Sequence, residues 1–187
     1  MITHRDIVWL DVKPMITQLQ LSNTTNKGKD NNSNRRVLDI GCHDIYFKKP
    51  FESLGLDWHG IDKYVPIDDR GNAIGYTEIV HGDMNDIPYD DKTFDLIFCC
   101  HAFEHSENPL QTLREFKRVS KRFIIIATPF PNNHHILEAD EDHIFCLHEN
   151  QMERLLRYSG IEKVVCYIQR YSSNKNQWNL ITVGIVV

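Results

Sequence analysis

His101, Glu104 and His105 fall within the five residues "HAFEH", and a further histidine, His143, follows in "DEDHIF". Imidazole and carboxylate groups in this pattern suit two chemistries. An H-x-x-E-H stretch with a distant histidine has the ligand types of a Zn²⁺, Mn²⁺ or Fe²⁺ site. Without metal, the same residues supply a general base, because histidine titrates near neutrality. His101, Glu104 and His105 are therefore the candidate catalytic residues. The polar run after "TPFPNN", with His134, His135, Glu138, Asp140 and Asp142, reads as a solvated loop or as one that shapes access to the site.

A second constellation lies upstream, in three acids that each follow an apolar run. Asp39 and Gly41 close "RVLDIG", Asp62 closes "DWHGID", and Asp83 closes "TEIVHGD". An acid about twenty residues beyond a glycine turn suits the two hydroxyls of a ribose, since a carboxylate offers two acceptors to two donors. Any one of these acids alone reads as a solvated turn residue; three in register at successive strand ends read as a site. The stretch "RVLDIGCHDIYF" departs from a nucleotide-binding turn at His43 and Ile45, where further glycines are expected. Glycine there permits positive φ and close backbone approach. An Ile45 already in the first turn of a helix would have ordinary φ, while the ring of His43 would narrow the pocket or cover part of its ligand.

The elements that must position these residues alternate. "RVLDI", "DWHGID", "TEIVHGD", "FDLIFCC" and "RFIIIAT" are short and β-rich, as strands covered on both faces should be. "NPLQTLREFKRVSK" predicts a helix with Asn108 as cap, Pro109 in its first turn and Gln111 as capping-box partner. "ENQMERLLRYSG" predicts another, capped by Asn150, with Met152, Leu155 and Leu156 inward and Gly160 as terminator. "IEKVVCYIQRY" and "QWNLITVGIVV" flank "SSNKN" and should pair as antiparallel strands. The expected fold is α/β: a Rossmann-like, doubly wound, mostly parallel seven-stranded sheet closed by a C-terminal antiparallel hairpin. Ligands of such sheets sit beyond the carboxyl ends of the strands, where strand order reverses.

Residues 1–34 read as an N-terminal arm and flexible polar loop, ahead of a domain over 35–187. In the arm, Ile7, Leu10, Val12, Met15 and Ile16 suit one face of a short helix that packs back as a lid or surface element. "LSNTTNKGKDNNSN" has almost nothing to bury. Trp58 and Trp178 are expected to pack on the sheet, and Trp9 to pack or to cover an acceptor. The chain has 187 residues, 41% of them hydrophobic, and a net charge of -5, so nucleic acid is a disfavoured partner. No apolar run approaches membrane-spanning length. Cysteines at 42, 99, 100, 146 and 166 without paired spacing read as reduced thiols of a cytoplasmic protein.

The order "VLDIGC", "HGID" and "GDMNDIPYDDKTFDLIFCCHAFEHSENPLQTLREFKRVSKRFIIIATPFPN" resembles the class I S-adenosylmethionine-dependent methyltransferases, in particular their small-molecule, lipid and glycan group. "DEDHIFCLHENQMERLLRYSG" is similar to that group's H-x-F strand and helix. The resemblance implies S-adenosylmethionine as cofactor and a small-molecule or glycan acceptor. It implies that N–H groups around Gly41, Cys42 and His43 face the cofactor's carboxylate and methionyl arm. Asp62 would accept from the ribose, Asp83 from the adenine amino group, and Met84 would line the ring. Asp39 and Lys63 complete the cofactor set, and His101, Ala102 and Phe103 would border the methyl group. "HAFEH" with His143 is also similar to the metal-binding pattern of small-RNA 2′-O-methyltransferases, from which His101 departs by replacing a glutamate. In metal-free relatives the Glu-His pair caps a helix, and no metal is assigned here.

Overall fold

Val37 and Leu38 are both fully buried, although neighbours on a strand point to opposite faces. A sheet with both faces apolar needs helices on each side. The computed structural model describes residues 3–19, 21, 35–65, 78–131, 141–170 and 178–187, and there that demand is met. In chain order the elements are α1 (His4–Gln18), β1 (Arg35–Ile40), α2 (Lys48–Ser53), β2 (Leu56–Asp62), β3 (Ile79–His81) and β4 (Phe94–Cys100). A 3-10 turn (Phe103–His105) follows, then α3 (Pro109–Val119), β5 (Ser120–Pro129), α4 (Glu149–Tyr158), β6 (Lys163–Arg170) and β7 (Trp178–Ile185).

The strands form one seven-stranded sheet in the order β3-β2-β1-β4-β5-β7-β6. The first five are parallel, and β7 runs antiparallel to both β5 and β6, as expected of the closing hairpin. Leu38, Ile97 and Ile124 face α3 and α4, packing with Phe116, Met152 and Leu156. Val37, Leu96 and Phe98 face the other way, with Val8, Val12 and Ile16 of α1 and Phe51 of α2. Strand order reverses between β1 and β4, so the carboxyl ends of these two strands flank the crevice.

Several local expectations are corrected. The buried stripe of α1 is Val8, Val12 and Ile16, while Leu10 is 68% exposed. A helix turns about 100° per residue, so Leu10 lies far round from Val8. Asn108 does cap α3, accepting from the Gln111 N–H at 3.2 Å, but the Gln111 amide donates to the Asn85 carbonyl at 3.5 Å and closes no box. The cap of α4 is His148, whose N–H donates to Gln151 at 2.9 Å; Asn150 lies inside the helix, because the chain is still extended at His148 and already helical at Glu149. Residues 143–148 form no strand. Ile45 lies in a turn whose carbonyl accepts from the Lys48 N–H, three residues ahead of α2, and its φ is not positive.

Helix α1 is tied to the body by polar contacts as well as by its stripe. The Tyr46 hydroxyl donates to Asp6, the Tyr167 hydroxyl to Asp11 at 3.0 Å, and the Gln169 amide to the Ile7 carbonyl at 2.9 Å. Trp9 packs edge-on against Phe51, with ring centroids 5.0 Å apart. Trp58 is buried in the sheet core and Trp178 stacks on Phe130. The polar loop after Leu21, the run with His134, His135, Glu138 and Asp140, and the "SSNKN" turn lie outside the described residues. Among the described residues, no helix is long and apolar enough to cross a membrane.

Candidate active site

Gly41 and Ala102 bring the ends of β1 and β4 together. A Cβ on Gly41 would stand 2.3 Å from the Ala102 Cβ, and Gly41 has φ +66°, so two independent constraints require glycine. The crevice opening there is a cavity of about 720 Å³, within the range of small-molecule sites. Its wall includes Gly41, His43, Asp62, Lys63, Asp83, Met84, His101, Ala102 and His105, which brings most of the expected residues into one place.

Asp39, Cys42, Glu104 and Phe103 are not in that wall. Asp39 is 2% exposed and accepts from the Trp58 indole N–H at 3.1 Å. Desolvation pushes its carboxyl up to about 8, against the pull of the indole hydrogen bond. Asp39 lies two residues before Gly41, inside the strand, and its side chain turns into the core; the expected trio of converging acids is a pair. The Cys42 side chain packs beside Trp58 and Phe98, where burial pushes its thiol up. Phe103 is fully buried, with Phe145 at 5.3 Å between ring centroids.

The strand-end N–H groups are also differently employed. Those of Gly41 and Cys42 donate to the Ile61 carbonyl at 2.9 and 3.4 Å, and that of His43 donates to Asp62 at 2.7 Å. His43 has φ +50°, the left-handed backbone expected of the glycine it replaces, and its exposed ring borders the cavity without filling it. Asp62 is 6% exposed, and its other oxygen accepts from the Tyr64 N–H at 2.8 Å. Each carboxylate oxygen has two lone pairs, so Asp62 retains acceptor capacity for a diol. Asp83 accepts twice from Asn85, at 2.8 and 2.9 Å, and pairs with Lys63 at 3.2 Å. Burial pushes the Asp83 carboxyl up, but Asn85 and Lys63 together hold it below the usual carboxylate range. The bond to Asp83 in turn raises the Lys63 ammonium. Arg118 holds the segment that carries these residues, donating to the Ile87 and Tyr89 carbonyls at 2.8 and 2.7 Å.

On the β4 side, backbone contacts assemble the histidines. The Ile144 N–H donates to the Glu104 carbonyl at 3.0 Å, and His105 Nδ1 lies 2.8 Å from the Asp142 carbonyl. A carbonyl only accepts, so Nδ1 of His105 carries hydrogen, and in the neutral ring the lone pair is on Nε2. His101 is governed by a longer relay. Gln169 donates to the Ile7 carbonyl, Asn179 donates to Gln169 at 2.9 Å, and His101 Nε2 meets the Asn179 carbonyl oxygen at 3.0 Å. The terminal carbonyl orients each amide, so His101 is protonated on Nε2 and turns Nδ1 toward Glu104, 3.6 Å away. One ligand atom from each of Glu104, His105 and His143 lies within 4.8 Å of the others, a set able to hold a divalent metal ion; His101 is outside it.

Residues that sequence reasoning missed include Arg5, which lines the cavity from α1, and Asn85, Gln169 and Asn179. No spacing marked them. Arg5 reaches the site only because α1 docks on the sheet, and the relay crosses three elements.

A profile described as a methyltransferase domain matches residues 38–124. Over 101 residues the chain is 27% identical to the tRNA U34 carboxymethyltransferase of Nautilia profundicola, covering 46% of this chain and 31% of that protein, or about a third of the relative's length. A S-adenosylmethionine-dependent methyltransferase from Archaeoglobus fulgidus superposes with TM-score 0.68 at 19% identity, over 95% of this chain and 94% of its own. Haemonchus contortus phosphoethanolamine N-methyltransferase 2, solved with phosphomonomethylethanolamine and S-adenosylhomocysteine, gives 0.64 at 12% identity, over 95% of this chain and 53% of its own. At such identities the structural likeness speaks for the fold. The matched profile begins inside β1 and ends inside β5, so it spans the switch point itself, and the chain has the fold of the S-adenosylmethionine-dependent methyltransferases on which it superposes.

Proposed function

We propose that the protein transfers the methyl group of S-adenosylmethionine to an oxygen or nitrogen of a small molecule or glycan, with S-adenosylhomocysteine as the second product. The residues fit that cofactor: Asp62 faces the cavity with acceptor capacity for the ribose, and Gly41 keeps the floor clear where a side chain would protrude. The bound cofactor supplies an electrophilic methyl on a sulfonium. Asp62 would hold the ribose, Met84 would line the adenine, and the wall at Ala102 would align the acceptor for in-line displacement. His105 Nε2 takes the acceptor's proton, while Asp142 holds its ring through Nδ1. Glu104 is a positioning residue, since it lies behind the wall. The observation that carries this reading is the placement of Asp62 and His105 on one cavity at the switch point.

Calorimetry with S-adenosylhomocysteine tests the cofactor half. Asp62→Ala should weaken binding by about a hundredfold, the scale of two charge-assisted hydrogen bonds. Absence of binding by the unsubstituted chain would sink the enzyme reading in favour of a non-catalytic binding protein on this fold. Transfer of tritiated methyl into pooled small molecules, glycans and RNA tests the acceptor.

The Glu104, His105 and His143 cluster favours a second reading, a metal-dependent RNA 2′-O-methyltransferase. The bond from His105 Nδ1 to a backbone carbonyl is the kind that orients a ligating imidazole, and one relative's name concerns tRNA. Those residues would hold a divalent ion that polarises the acceptor hydroxyl. Stoichiometric metal in tag-free protein, chelator-sensitive activity and label entering only RNA would support it; activity indifferent to chelator would remove it.

A further inference from the structure

We infer that Arg5 binds the carboxylate of the cofactor's amino-acid arm, an inference that rests on the cofactor reading above. An anion entering the cavity needs donors, and the strand-end N–H groups are committed: Gly41 and Cys42 to Ile61, His43 to Asp62. The wall is rich in acids, including Asp62, Asp83, Glu107 and Asp142, which repel a carboxylate. Its lysine, Lys63, lies between Asp83 at 3.2 Å and Glu107 at 3.7 Å, two acids to one cation. Arg5 shares the wall with Gly41 and His43 and, among the described residues, is paired with one acid, Asp44.

The geometry of that pair matters. Both contacts to Asp44, at 2.9 and 2.8 Å, run through Nη1. A guanidinium has five N–H donors in a planar fork, so the Nη2 and Nε edges are not spent on Asp44 and match a second carboxylate. The Tyr46 ring lies 5.4 Å from the guanidinium carbon. The first turn of α1 is fixed by the reciprocal bonds of Thr3 and Asp6 and by the Tyr46 hydroxyl on Asp6. Arg5 is thus presented by a docked helix, with one amino group on Asp44 and the other edges of the fork left for a ligand.

The test compares two ligands by calorimetry on the full chain: S-adenosylhomocysteine, and 5′-methylthioadenosine, which keeps the nucleoside and sulfur but lacks the amino-acid arm. Arg5→Met should weaken S-adenosylhomocysteine by about tenfold or more, as loss of a charged hydrogen bond does, and leave 5′-methylthioadenosine within about twofold; Arg5→Lys should recover part of the loss. Asp44→Asn removes the same ion pair but keeps the guanidinium, so it should retain S-adenosylhomocysteine affinity. Equal losses for both ligands in Arg5→Met, or an Asp44→Asn loss as large as that of Arg5→Met, would assign Arg5 to helix docking and overturn the inference. So would an Arg5→Met variant that binds both ligands normally. Failure of the unsubstituted chain to bind either ligand overturns the cofactor reading, and this inference with it.

Discussion

The turns after β1 and β4 each hold a histidine in left-handed backbone, His43 at φ +50° and His101 at φ +52°. At His43 the backbone does the work: its N–H donates to Asp62, and the ring is exposed. At His101 the N–H donates to the Ala127 carbonyl, and the ring is also engaged, between Asn179 and Glu104. Each side also buries an acid: Asp39 of β1 beside an indole, and Glu104 of the 3-10 turn after β4 beside histidines. On the proposed function the two sides of one crevice would therefore divide the task. The β1 side would offer a shaped backbone and, beside it, Asp62 for binding; the β4 side would offer side chains held in fixed orientations for chemistry.

That division predicts unequal losses. His105→Ala should lower single-turnover methyl transfer by about 10²–10⁴, the range for a general base, with S-adenosylhomocysteine affinity within about threefold; an equal fall in affinity would break the division. The buried acids come next. Asp39 has its folded carboxyl raised to about 8, so its contribution to stability is full below its unfolded value and is lost as pH rises toward 8. Asp39→Asn keeps an acceptor for the Trp58 N–H. It should match the unsubstituted protein in thermal melts near pH 4 and gain steadily to pH 8, by on the order of a few kcal/mol. A gain that shrinks with pH would show Asp39 charged in the fold. The smallest effects sharpen the histidine comparison. His101→Gly should lose about 1–3 kcal/mol by removing the ring that bonds the Asn179 carbonyl oxygen in the interior. His43→Gly should change stability by less than about 1 kcal/mol, because relief of left-handed strain opposes the entropy of glycine. Melts that reverse this ranking would refute the assignment of backbone to one side and side chain to the other.

Much of the fold was legible because its signals are local. Apolar runs such as "FDLIFCC" and the capped "NPLQTLREFKRV" become β4 and α3 within a residue or two, and the closing strands pair as their pattern implies. Helix starts were less legible where two polar residues competed for the cap, as at His148 and Asn150. Of the residues expected from strand ends and resemblance, Asp62, Lys63, Asp83, Met84, His101 and His105 line the cavity, whereas Asp39 and Cys42 do not reach its wall. Strand-end acids look alike in sequence, and only side-chain direction separates a ligand-facing carboxylate from one set against an indole.

The linear order of residues determined that this chain would make a two-sided parallel sheet, with acids at its strand tips and a histidine-rich turn after the fourth strand. Such features depend on periodicities of a few residues and on backbone preferences that neighbours enforce. Tertiary structure alone decided that Arg5 would enter the crevice, that His143 would come to Glu104 and His105, and that amide groups from β6 and β7 would orient His101. Those contacts join segments far apart in the chain: α1 packs on one face of the sheet, residues 142–144 bond to the 3-10 turn, and the pairing of β6 with β7 aligns the two amides.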